Sequence, residues 1–223
     1  MLATAGAAIT PMMTRAPGAG RAVPDADPHQ LYTKAQAEYY LSAEEMQWIR
    51  PGLNITVESI EIPADRRPVV ELSFTDDLGQ PLDRAGVLTP GSISMSFILS
   101  WYDVDKRDYV TYTTRVQTSP ITGDSADQAS SDSGGSFEDL GIGQVRYTFG
   151  TVLPSGYPAD ATHTLGIYAT RNLTDNPLET TQYDNVTYDF VPDGSPVVDV
   201  WEGMLDQTCN SCHEQLAFHG GSR

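Results

Sequence analysis

The chain is short of basic residues and of long apolar runs. Its 223 residues include 13 Lys and Arg against 30 Asp and Glu, which gives a formal net charge of −17. A surface this acidic repels phosphate backbones, so the composition argues against nucleic-acid binding. No apolar run approaches the roughly 18 residues that a membrane-spanning helix needs. Because 39% of the residues are hydrophobic, the chain can still build a packed core, and we expect a folded protein.

Cysteine is scarce as well, and its placement is unusual. The chain has only Cys209 and Cys212, close to each other near the C-terminus. A small secreted domain held by disulfide bonds carries more cysteines, spread along the chain. A pair this close cannot cross-link distant parts of a fold. The two thiols therefore need a different explanation.

Alternating apolar residues between positions 53 and 190 predict a mainly β protein. Frequent turns, formed from 15 Pro and 19 Gly, separate period-two patterns that mark about seven strands. The patterns are Leu53-Ile55-Val57, Val70-Leu72-Phe74, Ile93-Met95-Phe97-Leu99, residues 109–117, Val145-Tyr147-Phe149, Leu165-Ile167-Ala169 and Val186-Tyr188-Phe190. Short strands at regular spacing favour a Greek-key β-sandwich or a split β-barrel of immunoglobulin-like type.

One short helix is predicted in the N-terminal part, between residues 29 and 50. Ser42 and Glu45 form a capping-box pattern, in which each side chain pairs with a free main-chain N–H of the first turn. Met46 and Ile49 lie three residues apart on one face, and a Pro-Gly pair then ends the helix. Three preceding residues are expected to pack onto the domain as a hydrophobic staple: Tyr39, Tyr40 and Leu41.

Two acidic segments are weak candidates for binding calcium. Residues 118–135 are rich in Ser, Asp and Gly and are predicted to form an exposed loop between two strands. The carboxylates are Asp124, Asp127 and Asp132 in this loop, and Asp103, Asp105 and Asp108 in a predicted hairpin turn. The loop spacing does not match an EF-hand, so solvated loops are the favoured interpretation of both segments.

Residues 209–213 read Cys-Asn-Ser-Cys-His, the pattern of covalent c-type haem attachment. Two thiols three residues apart on one helical turn can each add to one vinyl group of the same porphyrin. The adjacent His213 then ligates the iron. A zinc site of Cys209, Cys212, His213 and His219 is a less favoured alternative. A thioredoxin-type disulfide would need a βαβ context, which the sequence lacks.

The other three histidines are predicted to have different roles. His219 lies six residues beyond His213 and is a candidate axial ligand of this iron or of a neighbouring one; the alternative is a surface histidine. His163 shares the parity of the apolar residues in its predicted strand, which favours a core or rim histidine over a ligand. His29 is expected to cap the helical passage or to be exposed. No G-x-S-x-G, phosphate-binding glycine loop or H-E-x-x-H motif is present, so a hydrolase has no support.

The segment 209–223 resembles the first haem site of the OmcA/MtrC-type decahaem c-type cytochromes. Further stretches resemble the N-terminal domain of that family: 48–53, 81–84, 89–91, 112–115, 117–123, 147–151, 168–173 and 190–195. Together they extend over residues 31–223. The resemblance implies a β-rich N-terminal domain in front of a multihaem domain, in an exported protein at the cell surface, outer membrane or periplasm. Such proteins carry respiratory electrons outward.

By this resemblance, Cys209 and Cys212 are the thioether anchors of haem c, His213 is the proximal iron ligand, and His219 is an axial ligand. The implied partners are other haem domains, partner cytochromes or an outer-membrane porin complex, with mineral or soluble electron acceptors. The sequence ends ten residues after His213. We therefore interpret it as an N-terminal fragment of a longer cytochrome.

Three regions are predicted: a disordered segment or signal remnant (1–28), a β-sandwich domain (29–200), and the start of a multihaem domain with a haem-binding helical turn (201–223). The protein is expected to be an electron carrier and not a substrate-converting enzyme, although the full-length protein can be a terminal metal reductase. The alternative is a haem-free adhesion or ligand-binding β-sandwich whose terminal Cys pair binds metal or forms a disulfide.

Overall fold

The computed structural model describes residues 27–200, which fold mainly as antiparallel β-structure. The helices are α1 (Pro28–Leu31) and α2 (Ala43–Ile49), with a 3₁₀ turn at Ala37–Tyr40. The strands are β1 (Asn54–Glu61), β2 (Val69–Thr75), β3 (Ile93–Asp103), β4 (Asp108–Thr111), β5 (Thr114–Thr118), β6 (Ser125–Ala129), β7 (Ser136–Gly141), β8 (Gln144–Thr148), β9 (His163–Leu173) and β10 (Thr180–Phe190). Within residues 27–200, no helix is long and apolar enough to cross a membrane.

Helix α2 forms as its sequence predicts. Ser42 is the N-cap, and its hydroxyl accepts from the main-chain N–H of Glu45 while the Glu45 carboxylate accepts from that of Ser42. Met46 and Ile49 are buried, and Arg50 ends the helix in the left-handed conformation at φ 55°. The staple is confirmed for Leu41, which is buried, but is wrong for Tyr40. That ring is 70% exposed because its hydroxyl donates to the main-chain carbonyl of Lys34 on the surface.

Each of the two main sheets consists of two hairpins from distant parts of the chain. One sheet has the order β1-β2-β8-β7 and the other β10-β9-β3-β4. In each, the central pair (β2 with β8, β9 with β3) joins the hairpins in antiparallel register. No ladder joins the two sheets in the part of the chain that the structure describes, so the fold is a sandwich and not a closed barrel. The mainly β prediction is confirmed.

The core lies between the inward faces of the two sheets. Phe97 of β3 stacks on Tyr147 of β8 across the interface, with ring centroids 4.1 Å apart. Around them lie buried residues of both sheets, including Val70, Leu72, Phe74, Val145, Leu165 and Ile167. Each fully buried side chain of this kind contributes about 1.5–3 kcal/mol, so this interface is the main source of stability.

Strand β10 covers the edge of β1 with polar side chains. The Asp184 carboxylate accepts a hydrogen bond from the main-chain N–H of Ile55 at 2.6 Å. The side-chain amide oxygen of Gln182 accepts one from the main-chain N–H of Gly52 at 2.9 Å. Burial raises the pKa of Asp184. Unpaired edge N–H groups invite association with other chains. These two bonds satisfy one donor of β1 and one of the segment just before it, and they join the sheets at one edge.

Two strand predictions are wrong. The run 109–117 is not one strand: β4 ends at Thr111 and pairs with β3, whereas β5 begins at Thr114 and pairs with β6. Residues 118–135 are not wholly loop, since they contain β6. The β5-β6 ribbon is almost entirely exposed, and β7 is also mostly exposed. Exposed strands need no apolar alternation, so β6 and β7 show no period-two pattern in the sequence, and most of β5 falls inside the single strand predicted at 109–117.

Candidate functional site

The four residues predicted to hold haem, Cys209, Cys212, His213 and His219, lie outside the described residues. Their roles stay predictions, as do the boundaries of the three regions and the helical turn. The described residues show where the chain leaves the sandwich toward this segment. That end of the domain is the candidate functional site.

Strand directions place residues 191–200 at the end opposite to α2. Strand β10 runs from Thr180, paired with Leu173, to Phe190, paired with His163. An open groove of about 650 Å³ lies at this end, which we call the exit groove. Its lining includes Trp101, Asp103, Val104, Asp105, Asp160, Ala161, Thr162, Val191, Ser195, Pro196, Val198 and Asp199. The chain therefore passes along this groove on its way toward the Cys-x-x-Cys-His segment.

The exit groove combines exposed apolar and acidic side chains. Val198 is 80% exposed and Val104 is 53% exposed. Four aspartates also line the groove, and Lys106 pairs with one of them, Asp103, at 2.7 Å. This pairing lowers the pKa of Asp103, so its carboxylate stays ionised. The negative charge favours a cationic or neutral partner over an anionic one.

His163 is fully buried beside the groove, and both of its ring nitrogens are hydrogen-bonded. Nδ1 lies 3.0 Å from the main-chain carbonyl oxygen of Ala161, and Nε2 lies 2.7 Å from the Tyr112 hydroxyl. A carbonyl only accepts, so Nδ1 carries the proton and Nε2 accepts from Tyr112. Burial lowers the pKa of His163 and favours this neutral form. The prediction of a satisfied core histidine, rather than a metal ligand, agrees with this geometry.

Aromatic rings surround the Tyr112–His163 pair. The two rings stack at 5.7 Å, Tyr157 meets His163 edge-on at 6.0 Å, and Phe190 lies at 5.6 Å. Burial raises the pKa of Tyr112, so the phenol keeps its proton. Phe190 is the last residue of β10, and the pair therefore lies directly behind the point where the chain leaves the sheet.

At the opposite end, Arg171 is fully buried and joins four main-chain carbonyls. Its guanidinium donates to Ile49, Arg50 and Gly52, which follow one another at the end of α2 and the approach to β1, and twice to Pro90. Burial lowers the pKa of Arg171 to about 10, which leaves it charged at neutral pH. Arg171 was not predicted as a core residue from the sequence, although it shares the inward parity of Leu165, Ile167 and Ala169.

A second exposed apolar surface lies near this end. Trp48 of α2 is 57% exposed, and Val87 and Leu88 in the loop before β3 are 81% and 69% exposed. They line a shallow groove of about 480 Å³. Contiguous exposed apolar residues mark candidate interaction surfaces.

Two of the six aspartates considered for calcium, Asp132 and Asp103, are engaged in hydrogen bonds of the fold. Asp132 accepts from the Tyr147 hydroxyl, the Gly150 N–H, and both the N–H and hydroxyl of Thr151. Asp103 accepts from the N–H groups of Asp105 and Lys106 and closes the β3-β4 hairpin, as predicted. Among residues 27–200, no three or more His, Cys, Asp or Glu side chains form a group that could hold a metal ion. Calcium therefore gains no support from this part of the chain.

His29 is exposed, as expected for one of its two predicted roles. Its main-chain N–H donates to the Asp27 carboxylate at 3.0 Å, and its ring lies 4.2 Å from that of Tyr39. Neither contact brings it near the exit groove residues. His29 is therefore a suitable control position for experiments on the other histidines.

The fold is similar to two solved cytochrome structures. MtrC from Shewanella baltica OS185 matches with a TM-score of 0.50 and 21% sequence identity, and the outer membrane decahaem cytochrome OmcA with 0.52 and 19%. Each match covers 77% of this chain and 28% of the other chain. No protein-family model matches the sequence, and no curated protein does. The resemblance predicted from the sequence is thus confirmed at the level of the fold, and the chain spans about 28% of the length of either structure.

Proposed function

We propose that the chain is the β-sandwich domain and first haem-attachment segment of an extracellular electron-transfer cytochrome. The observation that carries this proposal is the Cys-Asn-Ser-Cys-His sequence at 209–213. The fold shared with the outer membrane decahaem cytochrome OmcA supports it. A β fold without the motif, or the motif without this fold, would support it less.

The donor set fits haem c by its chemistry. Cys209 and Cys212 provide two thiols for two thioether bonds, and His213 provides an imidazole nitrogen for the iron. His219 provides a second imidazole, for this iron or a neighbouring one. When bound, the haem supplies one-electron redox chemistry, while the protein supplies position and electrostatics. The remaining residues of the chain hold and orient this segment.

The β-sandwich is proposed to seat the haem segment and to meet partners. Its exit groove lies where residues 191–200 lead toward the motif, and its aspartates favour a cationic surface of a partner cytochrome or porin complex. The proposed location is exported, at the outer membrane or cell surface, with metal oxides or soluble shuttles as terminal acceptors. The net charge of −17 argues against nucleic acid as a partner.

The alternative is a haem-free adhesion or ligand-binding module, and the exposed Trp48, Val87 and Leu88 surface favours it. In that case Cys209 and Cys212 would hold zinc or form a disulfide. The two proposals differ in metal content. We would express the 223-residue chain with the cytochrome c maturation system, record a pyridine haemochrome spectrum, and measure iron and zinc. Haem iron supports the cytochrome; a colourless protein with stoichiometric zinc overturns it.

A further inference from the structure

The hydrogen bond between Tyr112 and His163 fixes the position of every proton in the pair. Since the Ala161 carbonyl can only accept, His163 Nδ1 keeps its proton and Nε2 presents a lone pair to the Tyr112 hydroxyl at 2.7 Å. A phenol is thus held in contact with a neutral base. The pair lies on β9 and just after β4, on the rigid frame of one sheet.

This arrangement matters because a phenol loses an electron easily only if its proton leaves in the same step. The oxidised phenol is a strong acid, and Tyr112 is partly buried with its hydroxyl against His163, so the neighbouring base is better placed than water to take the proton. An imidazole already hydrogen-bonded to the phenol oxygen can take it without any rearrangement. The ordinary pKa of imidazole is near 6.5 and that of an Asp carboxylate near 3.9. Burial lowers the pKa of His163 and narrows this difference, so the acceptor role rests on the hydrogen bond already in place.

Two buried tyrosines, Tyr147 and Tyr32, give a contrast within the same fold. Tyr147 donates to the Asp132 carboxylate and Tyr32 donates to that of Asp77, both at 2.8 Å. Asp132 already accepts three further hydrogen bonds, whereas the only hydrogen bond at His163 Nε2 among the described contacts is the one to Tyr112. Tyr112 therefore has the better proton acceptor.

We propose that Tyr112 is a redox-active tyrosine whose proton acceptor is His163. A one-electron outer-sphere oxidant removes one electron from the phenol and is itself reduced by one electron. The O–H bond of Tyr112 breaks and an N–H bond forms at His163 Nε2, giving a neutral tyrosyl radical and an imidazolium. A one-electron donor reverses both transfers. No atom leaves the site.

The surroundings suit such a pair. The new imidazolium keeps its Nδ1–H bond to Ala161, and Ala161 lines the exit groove, so the pair lies beside the surface where an oxidant can dock. Trp101, which pairs with His163 across the β3-β9 ladder, also lines that groove. Tyr157 and Phe190 pack against the fully buried His163 ring. The structure thus provides a protein-based electron donor near the exit of the chain.

This inference goes beyond the proposed function and does not depend on it. The test uses the full 223-residue chain expressed without haem maturation, so that the presence or absence of haem does not affect its outcome. Photoexcited tris(bipyridyl)ruthenium with persulfate generates the oxidant, and rapid freezing traps radicals for electron paramagnetic resonance. In deuterated buffer, pulsed ENDOR detects a deuteron hydrogen-bonded to the radical oxygen.

The matched variants are Tyr112→Phe and Tyr147→Phe, each of which removes one buried hydroxyl. We expect Tyr112→Phe to lower the radical yield by at least half and to abolish the deuteron coupling, and Tyr147→Phe to change neither. His163→Gln should lower the yield as Tyr112→Phe does. If Tyr112→Phe retains the parental yield and coupling, or if Tyr147→Phe loses both, the proposal is wrong. Circular dichroism confirms that the compared variants are folded; if His163→Gln is not, the tyrosine pair alone decides.

Discussion

The guanidinium of Arg171 on β9 donates a 2.7 Å hydrogen bond to the main-chain carbonyl of Ile49, the last residue of α2. The same side chain reaches the carbonyls of Arg50, Gly52 and Pro90. The last carbonyls of a helix have no intrahelical partners, and those of Ile49 and Arg50 lie at the end of α2. Arg171 therefore donates to them, and it attaches the helix to the end of the sandwich.

Replacing Arg171 with Met should destabilise the domain strongly. Methionine fills a similar volume but donates nothing, and each buried acceptor left unsatisfied costs about 1–3 kcal/mol. With four carbonyls affected, we expect a loss of at least about 3 kcal/mol in the free energy of unfolding. The measurement is the urea denaturation midpoint at constant m-value.

Arg146→Gln is the control for this change. Arg146 pairs with Glu71 and Glu138 on the surface, where its side chain is 37% exposed. Surface pairs of this kind contribute about 0–1 kcal/mol. Equal destabilisation by the two variants would contradict the role assigned to Arg171.

The stability of the domain should depend on His163 between pH 7 and 5. Burial lowers the pKa of His163 in the folded state below its ordinary value near 6.5. As pH falls below about 6.5, the unfolded chain therefore binds a proton that the folded chain does not, and stability falls by up to about 1.4 kcal/mol per pH unit. His163→Gln removes this dependence, which unfolding curves at several pH values can measure.

His29→Gln serves as the comparison, since His29 is exposed. It should leave the parental fall in stability between pH 7 and 5 in place. The assignment fails if His163→Gln keeps the full pH dependence, or if His29→Gln is the variant that removes it.

Asp132→Asn should also be costly, because the carboxylate accepts four hydrogen bonds. An amide offers one oxygen only, and its NH₂ group would face the N–H donors of Gly150 or Thr151. We expect a loss of about 2–3 kcal/mol, detectable as a lower thermal midpoint. Asp127→Asn, on the exposed β6, is the neutral control. If both variants have the same thermal midpoint, Asp132 does not stabilise the segment that contains Gly150 and Thr151.

The capping box gives a smaller, well-defined prediction. Ser42→Ala removes the acceptor for the N–H of Glu45 and should cost about 1 kcal/mol. Glu44→Ala, in the same turn but outside the box, should cost less. Differential scanning calorimetry measures the stability of both variants. If Ser42→Ala is as stable as the parent, the cap does not contribute to the stability of the domain.

The sequence predicted those elements whose burial imposes a period. Strands β2, β3, β8 and β9 face the core on one side, so their apolar residues alternate, and α2 has a complete set of start and stop signals. Strands β6 and β7 and the break between β4 and β5 were missed because an exposed strand has no buried face to pattern. Its hydrogen bonds depend on a partner strand, which a local pattern does not specify.

The candidate site was only partly predictable for a similar reason. Residues 209–213 form a local motif that can be recognised from spacing alone. Tyr112 and His163 are 51 residues apart and meet only after β3 has paired with both β4 and β9. Arg171 had the parity of a core position, but a charged residue there is identified as buried only once its carbonyl partners are known.

Covalent haem attachment is the central claim, and one measurement tests it most directly. The chain is expressed with the cytochrome c maturation system and compared, after denaturing electrophoresis, by haem staining and intact mass with Cys209→Ala/Cys212→Ala and His29→Gln. We predict a stained band with the mass of one added haem for the parent and for His29→Gln, and neither stain nor added mass for the double cysteine variant. An unstained parent of unmodified mass, or a double variant that still carries haem covalently, would contradict the account.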